Sequence, residues 1–79
     1  MWSDEQLNDA VGVLMNSVSE AGVQRVEDVI EDGSKETYLV IGDVTYTDAL
    51  YIEALDKLVK DGRFKQTDDQ DGRLVFRKA

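Results

Sequence analysis

The side chains able to do chemistry here are carboxylates and cations, and they are unevenly placed. Seven of the nine basic residues fall in the last 23 positions: Lys57, Lys60, Arg63, Lys65, Arg73, Arg77 and Lys78. Only Asp61, Asp68, Asp69 and Asp71 oppose them there, so residues 57–79 carry +3. Residues 1–56 set thirteen carboxylates against Arg25 and Lys35 and carry −11, which makes the whole chain −8. Such a split suggests that one end meets an anionic partner while the rest is solvated or repelled by it.

Histidine, cysteine and proline are all absent. Without His and Cys the chain lacks the usual zinc ligands, the thiolate nucleophile, the commonest general base and any disulfide. Carboxylates remain, but they fall on predicted polar faces, where pKa values are little perturbed. The expectation is therefore a non-enzymatic protein with no cofactor and no metal. One loop invites a calcium test. Asp69-Gln70-Asp71-Gly72 has the residue types of positions 3–6 of an EF-hand loop. Positions 1 and 12 would then be Thr67 and Lys78, where acidic ligands are needed, so a hairpin turn is the better reading.

These residues must be positioned by a small fold. Seventy-nine residues make one domain, expected over 1–79, and a chain this short buries only about 60% of its unfolded surface. No apolar run approaches the roughly 20 residues that span a bilayer. The N-terminus is acidic and amphipathic, unlike a signal peptide, so the expectation is a soluble, cytoplasmic protein.

Ser3 and Gln6 have capping-box spacing, Trp2 and Leu7 the positions of a hydrophobic staple. Leu7, Ala10, Val11, Leu14, Met15, Val18 and Ala21 share one arc, which predicts an amphipathic helix over about 3–21, stopped at Gly22. Val23, Val26, Val29 and Ile30 also share a helical face, and a short helix over 23–31 is the favoured reading. The alternative pairs 24–30 with 36–41 through a hairpin at Asp32-Gly33. The apolar run in 36–41 predicts a strand broken by Gly42-Asp43. A second long helix follows, capped at Thr45 or Thr47, with Tyr51, Ile52, Leu55, Leu58 and Val59 on its buried arc and Gly62 at its end. Glu53–Lys57 and Asp56–Lys60 have the spacing of helical ion pairs. Strands over 63–67 and 73–77 then form a hairpin.

The segment 54–64, Ala-Leu-Asp-Lys-Leu-Val-Lys-Asp-Gly-Arg-Phe, followed by the basic strand 73–77, Arg-Leu-Val-Phe-Arg, resembles the C-terminal half of a winged-helix domain. The resemblance covers 47–77. It implies a recognition helix and a wing, hence nucleic-acid binding. The fold expected from all this is α+β: two long helices and a short helix on a small three-stranded antiparallel sheet, winged-helix-like in outline. The alternative order is αββαββ.

Charge argues against DNA as the first choice. The outer arc of the second helix carries Glu53, Asp56 and Asp61 beside Lys57 and Lys60, and a major-groove reader needs Arg, Lys, Asn or Gln there. The hairpin is the better contact candidate. Arg63, Lys65, Arg73 and Arg77 alternate on its two strands, with Phe64, Leu74 and Phe76 directed to the other face. Lys78, Tyr46 and Leu50 complete the candidate contact surface. The leading expectation is an interaction or regulatory protein that meets an acidic protein surface through this hairpin or self-associates head to tail. The second is a winged-helix nucleic-acid binder using the hairpin cations. The third is a DNA-mimicking inhibitor using the acidic N-terminal helices.

Overall fold

The computed structural model describes residues 2–70 and 72–79. Its elements are α1 (Asp4–Ser17), β1 (Val23–Val29), β2 (Lys35–Ile41), β3 (Val44–Tyr46), α2 (Ala49–Lys60), β4 (Phe64–Gln70) and β5 (Arg73–Lys78). The five strands form one antiparallel sheet in the order β3-β2-β1-β5-β4. This corrects the expected fold. There are two helices and five strands, not two long helices and a short one on three strands. The segment read as a short helix is β1, and its pairing with β2 runs from Gln24↔Val40 to Val29↔Lys35.

The correction has a physical cause. Val23, Val26 and Val29 repeat at a helical interval, but β-branched side chains favour a strand. The sheet buries valines on both of its faces. Val23 faces the helices and belongs to the main core, with no exposed surface. Val26 lies on the opposite face and is still only 2% exposed. Its cross-strand neighbours Tyr38 and Arg73 flank it, held by hydrogen bonds from Tyr38 Oη to Asp28 (2.7 Å) and from Arg73 Nη1 to Gln24 Oε1 (2.9 Å). The aliphatic stem of Arg73 thus serves as cover for apolar surface. The bond to Asp28 stabilises the protonated phenol and raises the Tyr38 pKa above the ordinary tyrosine value.

The strand β3 was not foreseen. Gly42-Asp43 forms a tight turn, with Gly42 at φ 62°, that folds Val44–Tyr46 back onto β2. Thr45 is therefore a strand residue, and the α2 cap is Asp48, whose side chain accepts from Leu50 N–H. The α1 start is as read: Ser3 Oγ accepts from Gln6 N–H while Gln6 Oε1 accepts from Ser3 N–H. The helix stops earlier than expected, with Val18 as its C-cap.

Both helices lie on one face of the sheet. Ala10, Leu14 and Val18 of the α1 segment and Ala54, Leu55 and Leu58 of α2 meet Val23, Leu39, Ile41, Phe64 and Phe76 in one core. The α2 outer arc is solvated, but its expected internal ion pairs do not form among the described residues. Asp56 instead faces Arg25 of β1 at 3.5 Å, and Lys57 reaches Asn8 of α1 at 3.4 Å.

Candidate functional site

The strand register converts the charge split of the sequence into a polarity along the sheet. Phe64 pairs with Lys78 and Lys65 with Arg77, at the end of the sheet where β1 begins and β2 ends. The Ala79 N–H donates to the Arg63 carbonyl at 2.9 Å, closing that end. Lys60 sits in the last turn of α2, one tight turn earlier in the chain. Lys60, Arg63, Lys65, Arg77 and Lys78 therefore share one end of the molecule. The opposite end carries the β1–β2 turn, with Glu27, Asp28, Glu31, Asp32 and Glu36 around it.

Parity divides the hairpin as its sequence suggests. Phe64, Leu74 and Phe76 are turned to the helices, and Lys65, Arg73 and Arg77 to the uncovered face. Lys65 stands directly opposite Arg77, and like charges in that relation repel. Arg77 is already engaged. Its Nε donates to the Glu20 carbonyl at 3.1 Å, and its Nη1 to Thr67 Oγ1 and to Asp68 Oδ2, the latter at 2.8 Å. One guanidinium thus ties the α1–β1 turn to the edge strand β4. Replacing Arg77 with alanine is expected to cost about 1 kcal/mol, because the ion pair is over a third exposed and solvent screens it. Lysine should recover little of this, since an ammonium lacks the planar fork that serves the three acceptors. Urea midpoints of the two variants check both statements.

The seven candidate contact residues do not gather in one place. Arg63, Lys65, Arg77 and Lys78 come together. Arg73 lies at the other end of β5, flanking Val26. Tyr46 is on β3, at the sheet edge opposite β4, and its ring meets that of Tyr51 with centroids 4.8 Å apart. Tyr46 and Leu50 are half-buried against the core. Three strands separate Tyr46 from Lys65. Sequence spacing carried no sign of this, because it depends on sheet order.

Lys60 was read only as part of a solvated arc, yet it joins the basic end. Among the described residues no group of three or more acidic side chains is arranged to hold a metal ion. The calcium reading of 69–72 falls partly outside the described residues, at Asp71. No helix is long and apolar enough to cross a membrane.

With a net charge of −8, the ion pairs among the described residues are Arg25–Asp56, Lys35–Glu27 and Arg77–Asp68. Most carboxylates are thus left to repel one another. Raising salt from about 0.01 M to about 0.5 M shortens the Debye length from roughly 30 Å to under 10 Å and should raise the thermal midpoint. A midpoint that falls steadily with salt would show that the few ion pairs outweigh the self-repulsion.

No protein-family model matches this chain, and neither the curated proteins nor the solved structures contain a match to it.

Proposed function

We propose that this chain is a small non-enzymatic interaction protein that binds an acidic protein surface through the basic end of its β4–β5 hairpin. Arg63, Lys65 and Lys78 make the contact, with Lys60 beside them and Arg77 bracing the end from within. The observation that carries this reading is the register pairing Lys65 with Arg77 and Phe64 with Lys78. It concentrates cations at one end of a chain that is acidic elsewhere. Arg63, Lys65 and Lys78 form no ion pair among the described residues, and an anionic partner supplies the opposite charge they lack. Carboxylates close to the same end, Glu20 and Asp61, oppose the dense charge of duplex DNA more than the sparser charge of a polypeptide's carboxylates.

The test is a titration of polyglutamate and, separately, of random-sequence duplex DNA into isotope-labelled protein at low and moderate salt. Polyglutamate should shift amide resonances of 60–65 and 76–79, and an Arg63→Glu, Lys65→Glu double variant should abolish the effect. Absence of shifts at low salt, or shifts centred elsewhere, would defeat the proposal. Binding of DNA at the same residues, with affinity falling by roughly 0.9 log units per contacted phosphate per log salt, would replace it with the nucleic-acid reading.

A further inference from the structure

The β1–β2 hairpin outruns the sheet. Pairing of β1 with β5 stops at Val26↔Arg73, and β3 pairs only with residues 39–41 of β2. Beyond those points the two strands continue alone to Val29↔Lys35. The arm so formed is well tied. Ile30 N–H donates to the Ser34 carbonyl and Gly33 N–H to the Ile30 carbonyl, both at 2.9 Å. The Asp32 carboxylate accepts from both the Ser34 hydroxyl and the Ser34 N–H. These bonds hold the Asp32 pKa below the ordinary carboxylate value. Lys35 pairs with Glu27 at 3.1 Å across the ribbon.

At the tip of this ordered arm two adjacent aliphatic side chains face solvent, Val29 at 70% and Ile30 at 44% exposure. Glu27, Asp28, Glu31, Asp32 and Glu36 surround them, against Lys35 alone. The opposite end of the molecule has the complementary feature. A cleft of about 480 Å³ is lined by Val18, Ser19, Glu20, Arg77 and Lys78, with Val18 almost wholly buried at its base and the basic end along its rim. Glu20 is the one carboxylate among the lining residues, and its main-chain carbonyl already binds Arg77.

We propose that a second copy of this chain seats the Val29–Ile30 tip of its arm in the Val18–Arg77 cleft, with Arg63, Lys65 and Lys78 facing its Glu27, Glu31 and Asp32. This rests on the reading of the basic end as a contact for acidic protein surface, and it names that surface. The charges around the tip and around the cleft have opposite sign. A tip fixed by its own turn bonds loses little freedom on docking. The arm and the cleft lie at opposite ends of strands about 20 Å long, so one copy cannot satisfy its own cleft. The contact is between unlike surfaces, and each copy offers one of each.

The first measurement is sedimentation velocity at about 0.15 M salt, where screening over about 8 Å suppresses the repulsion between like-charged bodies and keeps close ion pairs. The wild-type mass should rise above the 8.9 kDa monomer as concentration increases. A Val29→Ser, Ile30→Ser variant, altered only at exposed positions, should associate at least about tenfold more weakly, as should an Arg63→Glu, Lys78→Glu variant. Mixed together, the two variants should form a one-to-one complex that grows no further, since one retains the cleft and the other the arm. Circular dichroism confirms that both are folded.

A wild type that stays monomeric up to about 1 mM, where only contacts of at least about −4 kcal/mol register, would overturn the proposal. So would a tip variant that associates as wild type does. If polyglutamate still shifts the basic end in that case, the self-contact alone has failed. If those shifts are absent as well, the underlying reading has failed with it.

Discussion

Replacing Gly22 with alanine is expected to destabilise the protein by about 3 kcal/mol, from positive-φ strain of roughly 1 kcal/mol or more and a steric clash of similar or larger size. Gly22 sits at φ 85° where the α1–β1 turn enters the sheet. A β-carbon built there would lie 2.5 Å from the Phe76 carbonyl oxygen and 2.9 Å from Arg77 Cγ. The side chain could yield, but the carbonyl belongs to β5, whose Phe76 is paired with Val23 one residue beyond the glycine. Relief therefore requires the turn to lift from the strand, and with it the hydrogen bond from Arg77 to Glu20. For a chain of this size the loss corresponds to roughly 15 °C in thermal midpoint. Gly33→Ala is the control. Gly33 has φ 86° but nothing within 4 Å of its would-be β-carbon, so only the backbone cost of about 1 kcal/mol applies. Equal midpoints for the two variants would show that the turn gives way without cost and that the close approach to β5 carries no stability.

That close approach marks the boundary of what could be read from the chain. A stop at Gly22 is visible as punctuation after an amphipathic run, and the Ser3–Gln6 cap needs only a four-residue window. The strand at 36–41 and the C-terminal hairpin were legible for the same reason: their signals are local. Val23, Val26 and Val29 misled because their helical spacing is real, while the burial behind it comes from two faces of a sheet, one under the helices and one under Tyr38 and Arg73. The spacing of apolar residues within 23–31 does not distinguish these cases, and only the β-branched composition leans towards a strand. The signal that could have found β3 was present, since Gly42-Asp43 joins Ile41 to Val44-Thr45-Tyr46, a two-residue turn between β-formers. For the candidate site, membership of the hairpin was readable from alternation. The gathering of Lys60 with Arg63, Lys65, Arg77 and Lys78, and the removal of Tyr46 to the far edge, depend on register and sheet order, which are set by tertiary packing.

The β4 side of the basic end is anchored in the core by one buried side chain, and its removal gives the second large expected effect. Phe64 is 2% exposed and opens β4, an edge strand with β5 as its only strand neighbour and an irregularity between Gln66 and Asp68. From Lys65 to Asp69 every β4 residue is exposed. Phe64 is thus the apolar tie between this strand and the helix layer, where it joins Leu55 and Leu58 in the core. Phe64→Ala should cost about 3–5 kcal/mol, against a total stability of about 4–12 kcal/mol for a domain of this length. Much of the folded margin is lost, and the loss should start at the edge. Native-state hydrogen exchange should show β4 amides opening well before those of β1, because β4 pairs on one side with β5 while β1 is paired on both sides. Phe64→Leu, which leaves less empty volume, should lose less stability and keep more of that protection. In the leucine variant the cations are unchanged while the strand that carries them is loosened. Weaker polyglutamate binding there would mean that the fixed spacing of Arg63, Lys65 and Lys78 is recognised. Undiminished binding would mean that their charge suffices.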